Sequence, residues 1–368
     1  MYQARLTKLY NAMQKAGLDG LVVNPGCSFS YLTGLPMHIM ERPTVIFFAL
    51  GKEPAIVLPK LEAIKLNSLA YNAQGITYDE NPQEWQAAFD QAAKATGLAG
   101  KRVGTEPRAL RLLEYSYLQN AAPGANWVDA TAVFADLRNR KDASEVALMR
   151  KATQIAQDAL LATLPSVRLG VTEKELANEL VIQLLRHGCG PELPFAPIVA
   201  SGPNSANPHA APSDRPVQDG DMLLFDWGAS YEGYVSDLTR TYGIGKVAEK
   251  YQNIHRVVEQ ANAAGRAAGG PGKPCADVDK AARGVIDAAG YGQYFRHRTG
   301  HGLGMEAHED PYMRGDNMQL LEPGMAYTVE PGVYLAGENG VRIEDDMVVT
   351  ETGAESLSDL PRGLQFLI

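Results

Sequence analysis

Acidic residues interrupt two strongly apolar strand patterns in the second half of the chain, and they limit what these strands can form. Asp226 follows the apolar run Leu-Leu-Phe at 223–225, and Glu330 follows Tyr-Thr-Val at 327–329. A carboxylate on a buried strand is costly unless it is paired with a cation or coordinates a metal ion. We therefore expect each strand to lead into a polar centre rather than a wholly apolar core.

The first of these strands belongs to a predicted β-hairpin whose other arm carries Asp237. The turn is expected at 230–233, midway between Asp226 and Asp237. Residues opposed on one face of a hairpin have Cβ atoms about 4.5–5.5 Å apart, so the pattern predicts two like charges side by side. A bulge would shift this register.

The second hairpin repeats this arrangement. Glu330 and Glu344 are equally far from Gly337, in a turn expected at 337–340. One acidic pair is often a solvated surface feature, but two pairs on equivalent hairpins with apolar flanks indicate a site. No run of lysine or arginine is at hand to neutralise four carboxylates. Divalent metal ions are therefore the expected counter-charges.

His301 adds a nitrogen donor to these oxygens. It lies in Thr-Gly-His-Gly-Leu-Gly at 299–304, where the glycines suit a ligand held by a tight backbone rather than a helix. Four carboxylates and a neutral imidazole carry a charge that two divalent ions balance, and an oxygen-rich set with one nitrogen suits Mn²⁺, Co²⁺ or Zn²⁺. By contrast, His187 and His255 lie in helix patterns, and we expect them to be solvated or to cap helices.

The order of predicted elements divides the 368 residues into two domains. Residues 1–138 alternate helix and strand patterns, and the polar segment 136–142 marks a boundary. Residues 139–368 follow the order helix, helix, hairpin twice, which indicates pseudo-two-fold symmetry. The fold class is thus α/β (α+β). The Gly- and Pro-rich segment 188–220 is expected to be a long loop with little regular structure, and such loops are usually functional.

Composition excludes several classes of protein. The net charge of −9 argues against nucleic-acid binding, which requires a basic surface. The longest apolar run, Val45–Leu50, is far shorter than a membrane-spanning helix, and the N-terminus lacks an apolar signal segment. Three scattered cysteines do not make a disulfide framework or a thiolate metal site. We expect a cytoplasmic protein that binds neither nucleic acid nor membrane.

The acidic residues and their flanks resemble the five metal ligands of the pita-bread metallopeptidases, the group that includes methionine aminopeptidase, aminopeptidase P and prolidase. The likeness lies in Ser-Asp-Leu-Thr-Arg-Thr, Gly-His-Gly-Leu-Gly, Val-Glu-Pro-Gly-Val-Tyr and Arg-Ile-Glu-Asp. It implies that two divalent ions, with Mn²⁺ as the first expectation, are bound by Asp226, Asp237, His301, Glu330 and Glu344.

The N-terminal part resembles the same group. Phe-Ser-Tyr-Leu-Thr-Gly at 29–34 is similar to the creatinase-like N-terminal domain of prolidases and aminopeptidase P. Methionine aminopeptidases lack this domain, so the resemblance favours the proline-directed branch. It implies a creatinase-like domain at 1–138, a pita-bread catalytic domain at 139–368, a homodimer, and a small proline-containing peptide as substrate.

The resemblance also implies catalytic roles. A hydroxide held between the two ions would attack the carbonyl before proline, and Glu330 would take its proton. His209, in Asn-Pro-His-Ala, and His308, in Ala-His-Glu-Asp-Pro, match the family's two active-site histidines. They would stabilise the oxyanion and assist proton transfer.

Three further residues are expected to contact the substrate. His297 matches a pocket histidine of the family, with a structural hydrogen-bonding histidine as the alternative. Arg342 lies two residues before Glu344 and Tyr334 four after Glu330, so strand alternation places each on the face of its ligand. The alternative for Arg342 is an ion pair that only steadies a ligand.

One departure from the family pattern concerns substrate length. Some prolidases carry an arginine shortly after the histidine matched by His308, and it holds the terminal carboxylate of the dipeptide. Here Tyr312 and Arg314 are the candidates for this role. An Xaa-Pro dipeptidase is the leading interpretation, and an aminopeptidase P acting on longer peptides is the alternative. A non-catalytic peptide-binding protein and a metal-free creatine-type amidinohydrolase should both lack the complete ligand set.

Overall fold

The computed structural model describes residues 2–368, and the chain separates into two compact units. The first unit ends at Arg138, and the second extends from Asn139 to Ile368. Within the described residues, no helix combines the length and the apolar character needed to cross a bilayer.

A six-stranded mixed sheet forms the centre of the first unit. Its strand order is β4-β3-β2-β1-β5-β6, with β2 antiparallel to β1 and β3 and the other pairs parallel. The strands are β1 (Gly20–Val23), β2 (Val45–Ala49), β3 (Ala55–Pro59), β4 (Gln74–Tyr78), β5 (Arg102–Thr105) and β6 (Asn126–Asp129). The α-helices are α1 (Tyr2–Lys15), α2 (Cys27–Thr33), α3 (Pro82–Thr96), α4 (Leu112–Ala121) and α5 (Thr131–Asn139), and a 3₁₀ segment covers Lys60–Ser68.

Apolar strands in the middle of this sheet explain its layered packing. Every residue of β1, β2 and β3 is buried, which requires cover on both faces of the sheet. Helix α1 buries an apolar stripe formed by Leu6, Leu9 and Met13. Helix α3 contributes Phe89, which packs edge-to-face on Phe47 of β2.

The second unit contains two larger sheets, two two-stranded sheets and two helix pairs, with the helices and hairpins in the predicted order. The helices are α6 (Ala143–Thr163), α7 (Glu173–Arg186), α8 (Glu249–Ala268) and α9 (Cys275–Ala288), with 3₁₀ segments at Leu164–Ser166, Gly202–Ala206 and Gly292–Tyr294. The strands are β7 (Ile198–Ser201), β8 (Met222–Trp227), β9 (Ser230–Tyr231), β10 (Tyr234–Val235), β11 (Leu238–Ile244), β12 (Gly300–Gly302), β13 (Glu309–Met313), β14 (Ala326–Val329), β15 (Gly332–Tyr334), β16 (Gly340–Arg342), β17 (Asp345–Val349), β18 (Ala354–Ser356) and β19 (Phe366–Leu367). The larger sheets have the orders β19-β11-β8-β7 and β13-β12-β14-β17-β18.

Local capping signals determine where the first two helices of this unit begin. Asp142 and Glu145 form a capping box at the start of α6, and Thr172 and Glu175 form another at the start of α7. Each box satisfies backbone N–H groups that a helix end leaves without partners. Each pattern, a capping residue followed three positions later by a glutamate, is visible in the sequence.

The prediction for segment 188–220 is wrong in part. Residues Ile198–Ser201 form β7, which pairs antiparallel with β8 and places Ile198 beside Asp226. Four residues between Pro197 and Gly202 are too few for a periodic pattern, so only the paired partner reveals this strand.

The predicted register of the first hairpin is also wrong. Asp226 pairs with Thr239, not with Asp237. The turn is centred on Glu232 and Gly233, whose φ angles of 47° and 83° are both positive, as in a type I′ turn. Because the turn lies one residue later than expected, Thr239 takes the place opposite Asp226. Asp237 lies two residues before Thr239 on the same face of the strand, so it is a diagonal neighbour of Asp226.

The second hairpin has the predicted register. Val329 pairs with Asp345 on one side of the acidic pair, and Gly332 pairs with Arg342 on the other. This continuous register places Glu330 opposite Glu344, in the gap between the two strand pairs. Like charges are therefore opposed here, as expected.

His255 corrects another expectation, because it is buried rather than solvated. It lies on α8 with 1% of its surface exposed. Burial lowers the pKa of His255 to about 4, against a weaker opposing hydrogen bond with the backbone of Thr241. The helix pattern could not show this, since α8 packs with that face toward the core.

We predict that His255 makes the unit less stable in mild acid. A folded pKa near 4 and an unfolded pKa near 6.5 mean that only the unfolded chain gains a proton between these values. The contribution of His255 to the free energy of unfolding should be largest above pH 6.5 and fall by up to about 3 kcal/mol as the pH approaches 4. In urea unfolding under chelator, His255→Asn should lower this pH dependence, whereas His187→Asn at the exposed end of α7 should retain it. If the free energy of unfolding changed equally with pH in wild type and in both variants, the prediction would be contradicted.

Candidate active site

The two hairpins meet at a backbone bridge that brings their carboxylates together. The N–H of Glu344 donates to the carbonyl of Thr239 at 3.1 Å, and the Thr239 hydroxyl donates to Glu344 Oε2 at 2.6 Å. Asp226 is the next-to-last residue of β8 and lies opposite Thr239, and Asp237 lies directly before β11. Main-chain pairing therefore holds Asp226, Glu330 and Glu344, and Asp237 lies directly beside a paired strand.

His301 lies on β12, in the sheet that also contains β14 and β17 beside Glu330 and Glu344. Its Nε2 lies 3.6 Å from Asp237 Oδ2 and 3.4 Å from Glu330 Oε1. Its Nδ1 lies 3.1 Å from the Gly302 carbonyl, which favours a proton on Nδ1 and a free lone pair on Nε2. Ligand atoms of Asp237, His301 and Glu344 all lie within 4.8 Å of one another.

The glycines beside His301 are required by close backbone packing. A Cβ at Gly300 would lie 1.8 Å from the carbonyl oxygen of Thr328, and one at Gly302 would lie 2.2 Å from that of Asp310. Any side chain at either position would push β12 away from its neighbours. The glycines thus let the imidazole reach the acidic group.

Burial and mutual repulsion disfavour the ionised form of these four carboxyl groups. Burial, reinforced by neighbouring carboxylates, raises the pKa of Asp237 and of Glu344 well above the ordinary range. Burial also raises the pKa of Glu330 to about 7, although Arg342 opposes the shift. The same balance of burial against Arg342 leaves the pKa of Asp226 raised. Such a group is stable as anions only with added positive charge.

The donor set fits divalent metal ions. Oδ1 of Asp226 is buried and has no hydrogen-bond partner among residues 2–368. Carboxylate oxygens with one imidazole nitrogen are ligands that Mn²⁺, Co²⁺ and Zn²⁺ accept. Three features therefore indicate a divalent metal ion: an unsatisfied buried oxygen, excess negative charge and an available Nε2.

Arg342 supplies one positive charge to the group. Its Nη2 contacts Asp226 Oδ2, its Nε donates to the Thr239 hydroxyl at 3.1 Å, and its Nη1 donates to the Tyr334 hydroxyl at 2.9 Å. The Tyr334 hydroxyl also lies 2.8 Å from His297 Nε2. Arg342, Tyr334 and His297 thus form a hydrogen-bonded chain that starts at Asp226.

The other two histidines predicted for catalysis lie beside the acidic group. The ring of His308 packs against His301 with centroids 4.0 Å apart. Burial and the nearby charge of Arg298 lower the pKa of His308. His209 is exposed and lies in the segment after the 3₁₀ turn that follows β7.

These residues line one cavity of about 1010 Å³ in the second unit. This volume is at the upper end of the range for small-molecule sites and exceeds the needs of a dipeptide. Lining residues that the sequence predicted are His209, Asp226, Asp237, His297, His301, His308, Arg314, Glu330, Arg342 and Glu344.

The two residues predicted to hold a terminal carboxylate differ in their placement. Arg314 lines the cavity but is largely exposed, and its Nε contacts Asp316. Tyr312 is half-buried, and its ring lies 4.6 Å from the guanidinium carbon of Arg298.

Sequence reasoning missed two residues at this site. Arg298 lines the cavity, and its position between His297 and Thr299 in the His301 motif could have drawn attention to it. Asp346 is buried and accepts hydrogen bonds from the Asp237 N–H at 3.1 and 3.3 Å. No sequence signal separates it from its acidic neighbours.

Comparisons with known proteins match both units to family models. Residues 147–351 match metallopeptidase family M24, and residues 5–140 match the creatinase/prolidase N-terminal domain. The chain is 37% identical over 375 residues to a probable dipeptidase PepE of Mycobacterium bovis, covering 99% of this chain and 96% of that protein.

Two further relatives extend over nearly the whole chain. An Xaa-Pro dipeptidase of Lactobacillus delbrueckii subsp. lactis is 33% identical over 363 residues, with 98% of each chain covered. The crystal structure of a recombinant prolidase from Thermococcus sibiricus has a TM-score of 0.94 at 34% identity, covering 100% of this chain and 99% of that one.

Proposed function

Because the chain belongs to metallopeptidase family M24, we propose that it is an Xaa-Pro dipeptidase, which hydrolyses the peptide bond before a C-terminal proline. The observation that carries this proposal is a group of four carboxylates and His301 at one cavity that also holds three further histidines; three of the carboxylates are buried and Glu330 is half-buried. The similarity to an Xaa-Pro dipeptidase along the full chain supports the substrate class. The homodimer and the cytoplasmic location stay predictions.

Asp226, Asp237, His301, Glu330 and Glu344 are proposed to hold two divalent metal ions, with Mn²⁺ as the first choice. Bound ions of this kind supply Lewis-acid polarisation of a carbonyl and a nucleophilic water at neutral pH. The free Nε2 of His301 and the unpartnered Oδ1 of Asp226 are the atoms of this chain that most require them.

Protein side chains are proposed to handle protons and charge around the scissile bond. Glu330 accepts the proton of the attacking water, since its carboxylate faces both His301 and the cavity. His308 and His209 donate hydrogen bonds to the oxygen of the tetrahedral intermediate. Arg342 is committed to Asp226 and Tyr334, so its proposed contribution is to hold Asp226 in place rather than to bind substrate.

A dipeptidase also needs a cation for the carboxylate that follows proline. Most cationic side chains around the cavity are already engaged. Arg283 pairs with Asp279, and Arg314 pairs with Asp316. Arg296 is exposed and donates to a backbone carbonyl.

Arg298 differs from these residues. Its Nε is buried and has no hydrogen-bond partner in the part of the chain that the structure describes. Its charge contributes to the lowered pKa of His308 and opposes the rise in the pKa of Glu330, which places it close to the reacting centre. The Tyr312 ring beneath it supports the planar guanidinium by cation–π contact. We therefore propose Arg298 as the anchor of the dipeptide carboxylate.

Replacing one acidic ligand should reveal the metal site. We expect Asp237→Asn to lower the content of bound Mn²⁺ and abolish hydrolysis of Ala-Pro, because the charge that balances the ions is reduced. The chelated variant should also unfold at a higher temperature than chelated wild type, since one buried repulsion is removed. Metal analysis, activity assay and thermal unfolding check this, with exposed Asp316→Asn as control. Normal metal content and rate would contradict the two-metal proposal.

Removing a histidine should separate catalysis from metal binding. His308→Ala should retain metal and fold but lose kcat by about 100-fold or more, as expected for an oxyanion or proton-transfer group. His187→Ala, at the exposed end of α7, serves as the matched control and should keep full activity. Steady-state kinetics with Ala-Pro measure both. An unchanged kcat in His308→Ala would make His308 a structural residue.

Substrate length tests the role of Arg298. Wild type should cleave Ala-Pro better than Ala-prolinamide or Ala-Pro-Ala, because only the dipeptide presents a carboxylate directly after proline. Arg298→Gln should raise KM for Ala-Pro by about 10- to 100-fold, as for a lost charge-assisted contact, and leave the amide unaffected. Arg296→Gln removes a charge from the same segment and should change neither.

Two results would overturn parts of this proposal. A wild-type enzyme that cleaves the tripeptide and amide as well as the dipeptide would be an aminopeptidase P. An enzyme that prefers the dipeptide equally with and without Arg298 would remain a dipeptidase whose carboxylate is bound elsewhere.

A further inference from the structure

One buried carboxylate outside the acidic group holds both ends of the segment that carries His209. Glu173 is the first residue of α7 and is fully buried. Its Oε1 accepts hydrogen bonds from the N–H and hydroxyl of Ser201 at 2.7 and 2.9 Å. Its Oε2 accepts from the N–H and hydroxyl of Ser213 at 3.0 and 2.7 Å. A single side chain therefore closes the segment 202–212.

Asn204 within the segment completes the coordination of Glu173. Its Nδ2 lies 3.1 Å from Oε1 and 3.0 Å from Oε2 of Glu173. All these donors belong to Ser201, Asn204 and Ser213, so the carboxylate is satisfied only when the segment is closed. A buried carboxylate without them would be costly, which couples the conformation of the segment to Glu173.

The start of α7 binds the same segment through its backbone. The N–H of Glu173 donates to the Arg215 carbonyl at 3.2 Å, and that of Lys174 donates to the Ser213 carbonyl at 3.1 Å. These are N–H groups that the first turn of a helix leaves without intrahelical partners. The C-terminal end of the segment is thus fixed to the helix by side chain and main chain together.

Toward the cavity, the segment packs against the hairpin that carries Arg342. The Gly340 N–H donates to the Ser205 hydroxyl at 2.8 Å, and a Cβ at Gly340 would lie 2.0 Å from the Ser205 carbonyl oxygen. His209 itself is exposed, and its ring makes no hydrogen bond to the described residues. Its position therefore depends on the backbone that carries it.

We propose that Glu173 is a positioning residue that holds His209 against the substrate carbonyl. It touches neither substrate nor reacting atoms and acts by fixing both ends of segment 202–212. The inference rests on the proposed function, because it assumes that His209 stabilises the oxyanion. Displacement of a catalytic group by about 1 Å can cost up to 100-fold in rate, so loss of this tether should be measurable.

A double-mutant cycle tests this coupling. Glu173→Gln, His209→Ala and the double variant are compared in hydrolysis of Ala-Pro. Glu173→Gln should lower kcat by about 10-fold or more with little change in KM or metal content. In the His209→Ala background, the same substitution should change kcat by less than about twofold, since the group that it positions is gone.

A second variant keeps the test usable if Glu173→Gln fails to fold. Asn204→Ala removes two of the contacts at a half-buried position and leaves the charge of Glu173. It should lower kcat in the same direction, more weakly, and again only while His209 is present. Lys174→Ala is the matched control, because it removes an exposed ion pair between Lys174 and Asp214, the residues that directly follow Glu173 and Ser213. This variant should leave kcat unchanged.

The outcomes separate the two ideas. If His209→Ala leaves kcat unchanged, the proposed oxyanion role of His209 is wrong and the inference falls with it. If His209→Ala lowers kcat but Glu173→Gln lowers it by the same factor in both backgrounds, Glu173 acts by another route and only the inference is overturned.

Discussion

The repulsion among three buried carboxylates and the half-buried Glu330 is the constraint on which the second unit depends. Asp226, Asp237, Glu330 and Glu344 lie where burial raises the pKa of each, and Arg342 is the one arginine paired with any of them in the described residues. A fold can hold such a group only if its backbone is fixed by other interactions. Here, main-chain pairing within each hairpin and the Thr239–Glu344 bridge between them provide that fixation. Metal binding would then release electrostatic strain that the strands already withstand, which links metal affinity to stability.

The sequence predicted most of what depends on local or repeated signals. The pita-bread and creatinase-like fold class and the M24 family are confirmed, and the capping boxes of α6 and α7 are visible as local patterns in the sequence. These features depend on residues a few positions apart or on motifs with many specific positions. The assignment of individual ligands and catalytic residues stays a prediction, although the structure brings the five predicted ligands, His209 and His308 to one cavity.

What the sequence could not show depends on contacts between distant residues. The first hairpin turns at Glu232, a non-glycine residue with positive φ, so the midpoint argument failed by one residue. β7 exists because β8 offers a partner, and His255 is buried because of how α8 packs. The sequence places Arg298 beside the His301 motif but does not distinguish it from Arg296 two residues earlier. Its distinguishing property is a buried Nε without a partner, which only the placement of every nearby carbonyl and carboxylate reveals.

Buried carboxylates in this unit fall into two kinds, and the difference separates support from site. Glu173 is satisfied by serine and asparagine donors. Asp345 directly follows Glu344, yet the neighbouring charges of Arg240 and Arg362 outweigh burial and lower its pKa. Successive strand residues face opposite sides, so Asp345 meets arginines while Glu344 meets other carboxylates. Carboxylates of the first kind need nothing beyond the protein, and they hold the backbone. Those of the second kind, such as Asp226 with its unpartnered oxygen, are not satisfied by the protein alone, and this is why they are the proposed ligands of an external cation.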